Sequence, residues 1–283
     1  MRLLRYGPKG SEKPGLLDSE GKLRDLSSII CDITPEILGA SHLAELALVV
    51  EDRLETLPVV SGNPRLGVPV KGIGKYLGVG LNYHDHSRAH DGNLPPEPII
   101  FSKAISCLNG PNDDVMLPRD TQKPDWEAEM GVFIGKTARY VPVGEALDYV
   151  AGYTVVNDIS DRGFQNISTQ WDKGKGCDTF GPVGPWLVTP DEIPDPHNLD
   201  LWLELNGKVM QKSNTRHMIF SIAELISNIS SYMTLEPGDL IATGTPLGVG
   251  NSFTPPVYLK PGDVLRLGVE KLGEQEQHVV PFR

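Results

Sequence analysis

Glycine and proline break this chain so often that long regular elements are largely excluded. Thirty glycines and 24 prolines fall among 283 residues, and the apolar runs between them are short. Such punctuation predicts many turns and much β structure. "KPGLLDSEGKLRDLS" reads as two short strands around a turn at 18–21. "YLGVGLNY", "PIIFSKA" and "AGYTVVND" read as further strands, the last after a short helix near 144–149. "LDLWLELNGKVMQ" reads as a hairpin, because Asn206-Gly207 tolerates the positive φ of a tight turn. "PGD" occurs at 237–239 and again at 261–263, each time before a strand. Two segments predict helices. One is "SHLAELALVVEDRL". The other is "SIAELISNISSYM", where Ser221 and Glu224 have capping-box spacing and Ile222, Leu225, Ile226 and Ile229 share a face. Strands and helices do not alternate in a βαβα rhythm. An α+β fold with antiparallel or mixed sheets is therefore expected rather than a doubly wound parallel sheet.

The length suits one large domain and a small one. The stretch "LPVVSGNPRLGVPVKGIGK" lacks helical period, which sets the boundary near residue 68: a small N-terminal domain over 1–68 and a larger one over 69–283. The net charge of −11 argues against nucleic acid and anionic membranes as partners, but not against a local basic pocket for an anion. No apolar run has the length of a membrane span or a signal peptide. Three well-separated cysteines without a CxxC pair suit a reducing compartment, so the cytoplasm is the expected location. Gly72, Gly74 and Gly78 miss the dinucleotide-binding spacing, "GTPLGVG" lacks the Lys-Ser/Thr of a phosphate loop, and no GxSxG elbow occurs.

The segment "PDWEAEMGVFIGK" poses the sharpest question. On a strand, Trp126, Ala128, Met130, Val132 and Ile134 would share one face, and Glu127, Glu129, Gly131 and Phe133 the other. The two glutamates would then stand about 7 Å apart, pointing the same way. A solvated face is the ordinary explanation. Phe133 fits it poorly, and "VVNDISDR" ends another apolar strand with Asp158. Two glutamates and a strand-end aspartate would make a three-oxygen set for a hard cation, Mg²⁺ or Mn²⁺ rather than Zn²⁺.

Other candidates are less specific. "GLNYHDHSRAH" holds His84, His86 and His90. The last two have the i, i+4 spacing of a zinc pair, but a surface cluster or a general base fits as well. Lys103 ends an apolar strand, Lys175 lies in a Gly-rich loop, and Thr245 follows a strand in "ATGTPLGVG". Each reads equally as an ordinary solvated or turn residue.

Taken in order, "GVGLNYHDH", "FSKA", "GPND", "WEAEMGVFIGK", "GYTVVNDISDR", "GKGCDTFGPVGP", "LNGKVMQ" and "ATGTPLGVG" resemble the fumarylacetoacetate hydrolase family over roughly residues 70–270. The resemblance implies a mixed β-roll catalytic domain behind a small N-terminal α+β domain, assembled as a homodimer. It implies Mg²⁺ or Mn²⁺ on Glu127, Glu129 and Asp158, with Lys175 beside the ion and His86 as the base that activates water. Lys103, Arg162, Gln165 and Thr245 match positions lining the substrate site. The implied reaction is hydrolysis of the C3–C4 bond of a 2,4-dioxo acid, an acylpyruvate or a 2,4-diketo-3-deoxy sugar acid. One departure stands out. Many members carry a glutamate one helical turn after the histidine, where this chain has Ala89. That leaves room for an oxaloacetate decarboxylase, a tautomerase, or a sugar-acid-binding protein without catalysis.

Overall fold

The computed structural model describes residues 1–86 and 94–283. Ala89, His90 and Asp91 therefore lie outside the described residues, so neither the His86–His90 pair nor the Ala89 departure has a structural account.

The short strands expected from the glycine and proline content are present. In chain order they are β1 (Arg2–Tyr6), β2 (Lys13–Leu17), β3 (Leu23–Asp25), β4 (Tyr76–Gly80), β5 (Ile99–Ser102), β6 (Leu108–Asn109), β7 (Val115–Met116), β8 (Pro124–Asp125) and β9 (Ala128–Ile134). Then come β10 (Val150–Asn157), β11 (Ser160–Asp161), β12 (Gly181–Val188), β13 (Asp200–Leu205), β14 (Lys208–Asn214), β15 (Leu240–Ala242), β16 (Val264–Val269) and β17 (Gly273–Val280). A ten-stranded sheet runs β3-β2-β1-β12-β10-β9-β15-β4-β5, with β6 beside β12. It is mixed: β15 runs parallel to β4 and antiparallel to β9. A five-stranded sheet, β14-β13-β16-β17-β7, packs against β9, β10 and β12. With few helices beside these sheets, the fold is α+β. Residues 1–68 supply β1 to β3 and the helix Ala40–Arg53; β1 joins the large sheet by pairing Arg2 with Val188 and Leu3 with Leu187.

Local chemistry explains the elements that frame the site. The hairpin β13–β14 turns at Asn206 and Gly207, with φ of 52° and 77°. The helix Ile222–Tyr232 opens on the expected capping box, and its apolar face is buried. The central position of β9 matters most. It is flanked by β10 and β15 and covered by the second sheet, so all seven of its residues are buried. A half-exposed strand is thus ruled out, and Phe133 is fully buried. The two glutamates lie inside the protein.

Candidate active site

Strand register gathers the acids. Glu129 pairs with Val156, and Ala128 with Asn157, so Asp158 leaves the end of β10 beside Glu127. The Asp158 N–H donates to the Glu127 carbonyl at 2.9 Å. On the other side of β9, the chain leaving β15 brings the Gly244 N–H to Glu129 Oε2 at 2.8 Å. As a result one oxygen from each of Glu127, Glu129 and Asp158 lies within 4.8 Å of the others. All three are buried, with exposures of 6 %, 2 % and 0 %.

Buried carboxylates require counter-charge. The one-turn helix Asp172–Lys175 brings the Lys175 ammonium to 2.6 Å from both Glu127 Oε2 and Asp158 Oδ2. The one-turn helix Arg162–Gln165 brings the Arg162 guanidinium to Glu127 Oε1 at 2.5 Å and to Asp125 Oδ2 at 2.9 Å, while its third nitrogen donates to Gln165 Oε1 at 3.1 Å. Burial pushes the Glu127 carboxyl up, but Lys175 and then Arg162 outweigh it and hold it well below the usual carboxylate range. Glu129 has no such ion pair among the described residues. Burial, then Asp158 and Glu127, push it well above that range. Burial likewise pulls the Lys175 ammonium down, and Asp158 with Glu127 more than restores it.

This arrangement suits a divalent cation. Were all of them ionised, four carboxylates (Asp125, Glu127, Glu129, Asp158) would face three cations (Lys103, Arg162, Lys175), and this excess of one negative charge is part of what pushes the Glu129 carboxyl up. A divalent ion would reverse that sign, and a monoanionic ligand would then neutralise it. All-oxygen donors match Mg²⁺ or Mn²⁺.

Beside the acids lies a cavity of about 370 Å³, within the range of small-ligand sites. Glu127, Glu129, Lys175, Arg162, Gln165, Thr245 and His86 line it, so the structure brings most of the sequence candidates to one place. His86 Nδ1 lies 3.0 Å from the Thr245 carbonyl oxygen, and burial lowers the basicity of its ring. The Thr245 hydroxyl is already engaged: it donates to the Ala128 carbonyl at 2.9 Å and accepts from Gln211 Nε2 at 2.8 Å. Lys103 departs from the expected placement. It is not on the cavity wall but behind Asp158, with Nζ at 2.5 Å from Asp158 Oδ1 and 3.2 Å from the Ile159 carbonyl.

Several contributors were missed. Asp125 accepts from the N–H groups of Trp126, Gly250 and Asn251 as well as from Arg162. Its place in "PDWEAE", two residues before Glu127, was the available signal. Gln211 reaches across from the second sheet to Ala128 N–H and Thr245; it closes the motif "LNGKVMQ", which was read only as a hairpin and a mark of resemblance.

Buried carboxylates with their counter-cations beside a cavity define an enzyme site. The chain belongs to the fumarylacetoacetate hydrolase family: the family described as fumarylacetoacetate (FAA) hydrolase C-terminal matches residues 75–280. The chain is 54 % identical over 285 residues to a 2,4-didehydro-3-deoxy-L-rhamnonate hydrolase from Sphingomonas sp. strain SKA58, covering 100 % of this chain and 97 % of the relative. It superposes with a TM-score of 0.86 and 32 % identity on fumarylacetoacetate hydrolase from Exiguobacterium antarcticum, with 100 % of each chain covered. It also superposes, with a TM-score of 0.84 and 32 % identity over 100 % of each chain, on maleylpyruvate hydrolase from Sphingobium sp. SYK-6 in complex with manganese(II) and pyruvate. Among the described residues, no helix is long and apolar enough to cross a membrane.

Proposed function

We propose that this hydrolase cleaves the C3–C4 bond of a 2,4-dioxo acid, releasing pyruvate and a carboxylic acid. The observation that carries the reading is the meeting of three buried carboxylates within 4.8 Å beside a cavity whose other charged lining groups are cations. The 54 % identity to a hydrolase of a 2,4-didehydro sugar acid supports it, as does the likeness to a hydrolase that binds manganese and pyruvate.

Glu127, Glu129 and Asp158 would hold Mg²⁺ or Mn²⁺, which when bound supplies Lewis acidity toward oxo and carboxylate oxygens. The rest falls to the chain. We assign the Nδ1 proton of His86 to the bond with the Thr245 carbonyl, which leaves Nε2 as an acceptor. A ring kept neutral by burial can take a proton from water at neutral pH. The water oxygen bonds to C4, the C3–C4 bond breaks, and its electron pair passes to the pyruvate fragment as an enolate. His86 then returns the proton to C3. Lys175 and Arg162 place fixed positive charge in the same cavity, where it favours both the incoming anion and the departing enolate. Lys103 anchors Asp158 from behind and Gln165 steadies Arg162.

Purified protein incubated with Mn²⁺ and acetylpyruvate should release pyruvate and acetate in equal amounts. Absence of pyruvate from any 2,4-dioxo acid would overturn the reading. Release of carbon dioxide from oxaloacetate that survives His86→Ala would mark a decarboxylase instead, since that reaction requires no activated water.

A further inference from the structure

Two chains of contact lead outward from Glu127 to the cavity wall. The first passes through Lys175. Its ammonium lies 4.8 Å from the centre of the Phe101 ring, and that ring lies 5.3 Å from Trp171, tilted by 55°. Trp171 and Lys175 sit at opposite ends of one helical turn, joined by the Lys175 N–H to Trp171 carbonyl bond at 3.1 Å. Both rings lie on β4 at positions without side chains. A Cβ added to Gly78 would come within 2.2 Å of Phe101, and one added to Gly80 within 2.6 Å of Trp171. The second chain passes from Arg162 through Asp125 to the backbone of Asn251. Asn251 also lines the cavity. Its Oδ1 accepts from the Tyr258 hydroxyl at 2.8 Å, which leaves its NH₂ as a donor without another partner among the described residues.

The outer cavity therefore offers an aromatic surface and a neutral amide. It offers no spare charge: among the described lining residues the cations are Lys175 and Arg162, and both are committed to carboxylates. A second carboxylate on the substrate would meet no unpaired cation among the described lining residues. A hydroxylated carbon chain would match, with its C–H groups on the indole and a hydroxyl accepting from the amide.

The geometry points to Trp171 and Asn251 as the residues that select the acyl half of the substrate, and to a neutral, hydroxylated acyl chain as the half they select. This rests on the dioxo-acid reading above. Asp125 acts as a positioning residue for Asn251.

Three substrates test it: a 2,4-dioxo acid with a hydroxylated acyl chain, butanoylpyruvate as its deoxygenated counterpart, and maleylpyruvate as the anionic one. Pyruvate release and calorimetric binding are measured for each. The hydroxylated acid should exceed butanoylpyruvate in kcat/KM by about fivefold to tenfold, the worth of one hydrogen bond. Maleylpyruvate should rank last. In Asn251→Ala that ratio should fall to near one, in kcat/KM and in affinity alike. Trp171→Ala should raise KM for both long neutral chains by about tenfold with a smaller change in kcat, and Trp171→Phe should recover most of it. A preference for maleylpyruvate, or a ratio that survives Asn251→Ala, overturns the inference. The two readings fail differently: if no dioxo acid releases pyruvate while the affinity ratio still collapses in Asn251→Ala, selection stands and the proposed reaction falls.

Discussion

His86 Nδ1 lies 3.0 Å from the carbonyl oxygen of Thr245. In the proposed reaction this bond leaves Nε2 to face the water, and the protonation of the ring then makes the rate sensitive to pH in one direction. Burial lowers the basicity of the ring. Glu127, the bond to Thr245 and Asp85 oppose that effect and Arg162 reinforces it, and the net shift is downward from 6.5. The imidazole is protonated, and useless as a base, only below that lowered value. The rate should therefore stay level from neutral pH down to about 6.5 and decline only below it. His86→Ala should reduce kcat by about 10²- to 10⁴-fold while leaving manganese affinity, read by calorimetry, within a few-fold of wild type. Equal loss of metal binding would show that His86 serves the metal instead.

Removal of metal should abolish turnover without unfolding the protein. Lys175 and Arg162 already neutralise much of the buried acid. After chelation the circular dichroism spectrum should be unchanged, and added Mn²⁺ or Mg²⁺ should restore pyruvate release. The ion should also raise the melting temperature, by an amount equivalent to about 2.7 kcal/mol at a hundred times its dissociation constant. Full activity in the presence of excess chelator would remove the metal from the reaction.

Lys103→Met separates bracing from substrate binding. With its Nζ buried against Asp158 and Ile159, Lys103 is a structural counter-ion. Its loss should cost about 3–5 kcal/mol, the usual range for breaking a buried pair, and should weaken metal binding. Urea denaturation measures the first and calorimetry the second. A rise in KM with unchanged stability would instead place Lys103 in contact with substrate.

The capping box predicts a change in stability alone. Ser221 accepts the Glu224 N–H, and Glu224 accepts the Ser221 N–H at 2.7 Å. Ser221→Ala should lower unfolding free energy by about 1 kcal/mol with kcat unaltered. Ser221 also holds the Glu224 carboxyl below its ordinary 4.5. That contribution is present above 4.5 and fades as pH falls through the depressed value. The difference between wild type and variant in a urea titration should therefore shrink with acidification.

The two main helices, the 206–207 hairpin and the strands near 76, 99 and 150 were legible because each depends on local pattern. So were Glu127, Glu129 and Asp158 as a possible set, since alternation along one strand and the end of another suggested them. What remained hidden was set by partners distant in sequence. Nothing near Glu127 shows that β9 is covered on both faces, so a solvated face stayed open as a reading until the second sheet was placed. Lys103 was expected at the substrate because the resemblance matches it to a position lining that site. Only the packing shows that its ammonium is taken up by Asp158 and the Ile159 carbonyl. Trp171 carried no signal at all, because the seat of its ring depends on an absent side chain at Gly80, ninety-one positions earlier.

That last pairing has a consequence for how such an enzyme can diverge. The acids lie on β9, just before it and just after β10, whereas the indole rests on β4, a different strand of the same sheet. With the roles proposed above, selectivity and reactivity are inherited through separate parts of the sheet. New appetites could arise by filling or clearing the seat under one ring, leaving the reactive machinery in place.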